Sequence, residues 1–153
     1  MRRALTTIIL TALALGGCAT TSLQTPTGFA THHGDRDDRY EYRASDGEGV
    51  VLGVRREKNE PRGDLDFWSA AVDVKLRQAG YEALSMDDVA SADGLPGRQI
   101  RYVLPHQGRE LSFWVTLFVT SRSVVIVEAG GDSEFLSAKA EAVEHAIASL
   151  HVG

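Results

Sequence analysis

Cysteine is all but missing: Cys18 is the only one in 153 residues. One thiol allows no internal disulfide and no multi-thiolate zinc site. Long apolar runs are also lacking. The uncharged stretch 4–15 falls short of the roughly 20 residues a membrane-spanning helix needs. Positive charge is in deficit, with 16 Lys and Arg against 21 Asp and Glu, a formal net charge of −5. Such a balance is not the electrostatic footprint of a nucleic-acid binder. Catalytic signatures are absent too: there is no G-x-S-x-G, S-x-x-K, H-E-x-x-H or P-loop. Gly47-Glu48-Gly49 lacks the third glycine of a dinucleotide fingerprint and reads as a hairpin turn.

What is present begins at the N-terminus. Arg2 and Arg3 precede the apolar run 4–15, and small residues follow it, the pattern of a secretory signal peptide. The arginine pair also raises a twin-arginine signal, but without the residues usual around one. Leu15-Gly16-Gly17-Cys18 resembles the lipobox of bacterial lipoproteins. The resemblance implies cleavage between Gly17 and Cys18 and a diacylglyceryl group on the Cys18 sulfur. It leaves no free thiol and no cofactor other than that covalent lipid. Two or three acyl chains make a firm anchor, where one would be marginal. Ala19 after the cysteine resembles lipoproteins sent to the outer membrane, with the domain on the periplasmic side. Loss of residues 1–17 removes Arg2 and Arg3 and no acidic residue, so 14 basic and 21 acidic side chains remain, a charge of −7.

Residues 18–39 read as a lipidated N-terminus and flexible tether, rich in Thr, Gly and charge, ahead of a single domain at 40–153. Within it, 40–44 and 49–56 read as strands. Trp68, Ala71, Val72, Leu76 and Ala79 recur at helical spacing, with Asp64 as N-cap and Gly80-Tyr81 as a Schellman ending over Leu76. The stretch 82–96 is weakly patterned, with room for one short strand. Residues 97–105, 110–120 and 123–129 read as antiparallel strands. A final helix at 132–150 aligns Leu136, Ala140, Val143, Ile147 and Leu150 on one stripe. The expectation is an α+β domain: an antiparallel sheet of about five strands with two amphipathic helices on one face. This order, with the Trp68, Leu76, Gly80-Tyr81 pattern of the first helix, resembles the PsbP-like (PsbP/Mog) fold. Members of that fold do unrelated jobs, so it implies architecture and no function.

The strand 110–120 is apolar on both faces. Leu111, Phe113, Val115, Leu117 and Val119 are expected in the core, with Trp114 and Phe118 on an open face. The turn at Ser121-Arg122 sets the register to the next strand. Three turn residues would place Ile126 across from Phe118; two would bring Glu128 onto the core face opposite Val115, at a desolvation cost. The first is preferred. It predicts a partner-binding patch of Trp114, Phe118 and Ile126, with room for Val103, edged by Arg101 and Glu128. The alternative is that these aromatics only stabilise the sheet or lie under 82–96. His32 and His33 near Asp35, Asp37 and Asp38 are possible metal ligands, but a flexible segment must be ordered to chelate, so no metal site is expected. His106, His145 and His151 read as surface residues. Arg62-Gly63-Asp64 spells a tripeptide known from adhesion ligands, but Asp64 is needed as a helix cap.

Taken together, the sequence predicts a non-catalytic, lipid-anchored envelope protein that binds an envelope protein through its open sheet face. The alternative is a small-molecule or lipid-binding module with a pocket between the sheet and 82–96.

Overall fold

In the computed structural model, residues 21–32 and 39–153 are described. Residues 1–20 and 33–38 lie outside them, and with them the expected signal peptide, Gly17, Cys18 and His33. The chain forms strands β1 (Ala30–Thr31), β2 (Tyr40–Ser45) and β3 (Val51–Lys58), then helix α1 (Leu65–Gln78). Strands β4 (Glu82–Ala90), β5 (Pro96–His106), β6 (Arg109–Val119) and β7 (Ser123–Asp132) follow, and helices α2 (Ser133–Ala138) and α3 (Ala140–Ala148) close the chain. All strands pair antiparallel in one sheet, in the order β1-β2-β3-β7-β6-β5-β4. The class is the expected α+β, but the sheet has seven strands rather than about five. The two additions are β1 and β4, where 82–90 makes a full nine-residue edge strand. Its pattern is weak because an edge strand buries few side chains: Leu84 and Met86 stay exposed.

The helices lie on opposite faces of the sheet, which corrects the expected one-sided packing. Leu65, Trp68, Val72 and Leu76 of α1 pack with Ile100, Tyr102, Val115, Leu117, Val124 and Ile126. On the other face, Leu136, Val143 and Ile147 of the closing helices, with Leu150 just past α3, pack on Val54, Trp114, Phe118, Val125 and Val127. The predicted stripe is therefore right, although the helix is interrupted at Lys139, whose backbone (φ −103°, ψ 4°) caps α2 and leads into α3. A strand apolar on both sides needs a cover on both sides, and β6 has one.

The segment expected to be a tether belongs to the domain from Thr21 to His32. Ser22 and His151 bridge as an isolated antiparallel pair, with Ser22 N donating to His151 O at 3.2 Å and His151 N to Ser22 O at 2.8 Å. Leu23 and Phe29 pack against the core on the face of the closing helices, and Pro26 is buried. The segment then enters the sheet as β1, where Ala30 faces Ser45. Its polar composition hides this, because three apolar anchors in twelve residues give no period to read.

Candidate functional site

Helix α1 starts and stops where its sequence dictates. The Asp64 side chain accepts from Phe67 N at 2.8 Å. At the other end Gly80 adopts φ 95°, Gly80 N donates to Arg77 O, and Tyr81 N donates to Leu76 O, both at 3.0 Å, the expected Schellman ending. The start is pinned further by Asn59, which is buried. Its amide Nδ2 donates to Gly63 O and Thr120 O at 3.0 and 2.9 Å, and its Oδ1 accepts from Gly63 N and Trp68 Nε1 at 2.9 and 2.8 Å. All four of its hydrogen-bonding positions are used.

Held this way, α1 covers the β5–β6 side of the sheet and leaves a gap toward β3. The gap is a cleft of about 490 Å³, within the size range of small-molecule sites. Phe113, Val115, Leu117, Val124 and Ile126 form its floor, and Trp68, Ala71, Val72, Leu76 and Tyr81 its helix side. Arg55, Glu57, Glu128 and Lys75 supply the charge at its rim. Among the described residues, this lining contains no serine, threonine, cysteine or histidine. Its chemistry is that of an apolar slot with a charged edge, suited to holding an apolar or amphipathic molecule.

The charged edge follows from the register. Ser121 and Arg122 are a two-residue turn, with Thr120 N donating to Ser123 O at 2.8 Å. Leu117 therefore faces Ile126, Phe118 faces Val125, and Glu128 faces Val115. This overturns the preferred three-residue turn. The desolvation cost that argued against it is met by partners outside the hairpin. Glu128 Oε2 accepts from the Tyr40 hydroxyl at 2.6 Å, and Oε1 from Arg55 Nε and Nη2 at 3.3 and 3.1 Å. Arg55 also reaches Glu57 at 2.8 Å. Tyr40 gets close because Gly53 lies under its ring: a Cβ there would sit 2.7 Å from Tyr40 Cε1. Burial, and then the bond to Glu128, holds the Tyr40 hydroxyl pKa above its ordinary value.

The predicted binding patch does not exist as a surface. Trp114 is 6 % exposed and Phe118 is fully buried, both beneath the closing helices. Ile126 is buried on the opposite face, under α1. Arg101 does lie across from Trp114, with its guanidinium 4.1 Å from the ring centroid, but it is tied to Glu144 of α3 at 2.6 Å. The described histidines do not converge. His32 bonds Ser45 Oγ and His151 bonds Asp93, each at 2.6 Å, while His106 and His145 are exposed. Among the described residues no three His, Cys, Asp or Glu side chains could share a metal ion, and no helix is long and apolar enough to cross a membrane. Sequence reasoning misses Tyr40, Arg55, Glu57 and Asn59, and it places Glu128 on the other face of the strand. Glu128, a lone charge in an apolar strand, is the one available signal.

No family model matches the chain, and no curated protein matches it by sequence. Solved structures do. LpqN of Mycobacterium tuberculosis, described as involved in cell envelope biogenesis, superposes with a TM-score of 0.70 at 11 % identity, over 90 % of this chain and 86 % of its own. The cyanobacterial PsbP of Synechocystis gives 0.58 at 11 % identity, over 94 % and 99 %. A protein of unknown function from Pseudomonas aeruginosa, PA94, gives 0.54 at 12 % identity, over 89 % and 86 %. At such identities the likeness is one of architecture, and the chain has a PsbP-like fold.

Proposed function

We propose that this chain is a lipid-anchored accessory protein of the bacterial cell envelope that binds an apolar or amphipathic small molecule, lipids included, in the α1 cleft. The observation that carries the reading is the cleft itself: about 490 Å³, floored by aliphatic and aromatic side chains and rimmed by Arg55, Glu57, Glu128 and Lys75. With Trp114 and Phe118 covered, the open-face reading loses its surface, and ligand binding becomes the better account. The pocket lies between the sheet and α1, not between the sheet and 82–96. The envelope setting is supported by the lipobox-like Leu15-Gly16-Gly17-Cys18 and by the fold shared with LpqN. Lipid on Cys18 and a periplasm-facing outer-membrane position complete the proposal. The role is one of binding, without catalysis.

The cleft is tested with a fluorescent fatty acid such as cis-parinaric acid. Ala71→Trp places an indole in the slot and should weaken binding about tenfold, or ~1.4 kcal/mol, with an unchanged melting temperature. No binding by the wild type, or equal binding by a well-folded Ala71→Trp, refutes the cleft reading. For the anchor, Cys18→Ser should leave the membrane fraction and retain its leader; a processed, membrane-bound variant refutes lipidation there.

A further inference from the structure

Strand directions put one set of loops at the end of the molecule where the chain enters. Arg56 Nη2 donates to Thr21 Oγ1 and, at 2.6 Å, to Val152 O. With the Ser22–His151 bridge, these contacts fix Thr21 beside the chain's C-terminal segment. The β6–β7 turn at Ser121-Arg122 and the β3–α1 loop lie at the same end, joined by Asn59 N donating to Arg122 O at 3.0 Å. Only Ala19 and Thr20 separate Cys18 from Thr21. Fully extended, three Cα steps span about 10 Å, so a lipid on Cys18 cannot hold this end far from the headgroups.

Three cations at that end have side chains free to meet an anionic surface. Lys58, Arg62 and Arg122 are exposed, and none forms an ion pair among the described residues. The acids at this end keep their charge but are held by protein donors, Asp64 capping α1 and Asp93 bound to His151 and Val152 N, with Glu60 beside them. At the opposite end Arg109 is paired with Asp132 and Lys139 with Glu48, and Lys75 at the end of α1 is the unpaired cation there among the described residues. A net-acidic chain thus keeps three unpaired cations beside its attachment point.

We infer that this end, with Lys58, Arg62 and Arg122, is a docking surface for anionic phospholipid headgroups, which orients the domain on the bilayer. The inference rests on the lipidation reading above. Arginine and lysine side chains near an anionic surface are attracted within a Debye length of it, and the short link keeps this end close enough to the bilayer for the three to come within that distance. The opposite hairpin, with Gln107 and Gly108 at its tip, then points away from the bilayer.

The test uses the full chain, made in bacteria and purified in its acylated form, with p-benzoylphenylalanine replacing either Ser121 or Gln107. Acylation is read by mass on the N-terminal fragment of the same samples. In phosphatidylcholine vesicles containing phosphatidylglycerol, Ser121 should give lipid adducts several-fold more often than Gln107. The excess should shrink in vesicles lacking phosphatidylglycerol and in the Lys58→Glu/Arg62→Glu/Arg122→Glu variant. An acylated protein that crosslinks equally from both positions, or from Ser121 mainly to protein, overturns the inference and leaves the anchor standing. A protein without acyl groups overturns the anchor, and this inference with it.

Discussion

The Tyr40 hydroxyl donates to Glu128 Oε2 at 2.6 Å, linking β2 to β7 across the intervening β3. This bond and the Arg55 fork let a carboxylate stand on a face that is otherwise core. Tyr40→Phe should cost about 1–3 kcal/mol, the penalty for stripping a partner from a largely buried polar group. Glu128→Ala should cost more, since Arg55 and Tyr40 both lose their acceptor. Chemical denaturation measures both, and a Tyr40→Phe protein as stable as the wild type would mean that Arg55 alone suffices.

A pH dependence follows from the tyrosines. Tyr102 is fully buried, with its hydroxyl donating to Asp73 at 3.1 Å. Burial, and then the Asp73 charge, pushes its pKa well above the ordinary value, and Tyr40 is displaced the same way. The folded protein therefore holds these protons more tightly than the unfolded chain. Their contribution is complete below the ordinary tyrosine pKa of about 10, falls as pH rises beyond it, and is lost through the folded pKa. Stability measured from about pH 8 to 11.5 should decline, and Tyr102→Phe should decline less steeply from a lower plateau. Parallel curves would contradict the assignment.

Asn59 fixes the geometry of both the cleft and the chain-entry end. Asn59→Asp exchanges two donors for acceptors facing the carbonyls of Gly63 and Thr120, and should destabilise by roughly 2–4 kcal/mol. Trp68, which loses its bond partner's geometry, should show a shifted fluorescence maximum. An Asn59→Asp protein with native stability and emission would remove Asn59 from this role.

Phe118→Ala should cost about 3–5 kcal/mol, as expected for truncating a fully buried aromatic. Gly97→Ala should also be harmful, because its Cβ would lie 2.4 Å from the Phe118 ring and 2.8 Å from Leu117 O. Thermal unfolding separates this from a surface role, in which Phe118→Ala would leave the melting temperature unchanged.

The N-terminal segment yields the last prediction. If residues 21–32 are part of the core, Leu23→Asp should lower the melting temperature by several degrees. A mere tether would not respond. Amide exchange at Leu23 and Phe29 slower than in a free peptide would support the same conclusion.

Features whose cause is local are legible in the sequence. The caps and stripe of α1, the three strands of the meander and the apolar row of the closing helix all follow from neighbouring residues. Helix sidedness is not local, yet Trp114 and Phe118 opposite a second apolar row already require two covers. The turn at Ser121-Arg122 defeats local reasoning because the groups that satisfy Glu128 come from Tyr40 and Arg55, 88 and 73 residues earlier in the chain. The cleft is hidden for a similar reason: it is a space between elements, and no residue pattern encodes where α1 stops covering the sheet.

Strand β7 is the last to be made and lies in the middle of the sheet, between β3 and β6. Until Ser123 to Asp132 exist, β1–β3 and β4–β6 are two separate ribbons, each with an unsatisfied edge toward the other. The chain's final third is thus the keystone of its first, and cooperative closure must wait for synthesis to be nearly complete. A protein that has to pass a translocase before folding would gain from that delay.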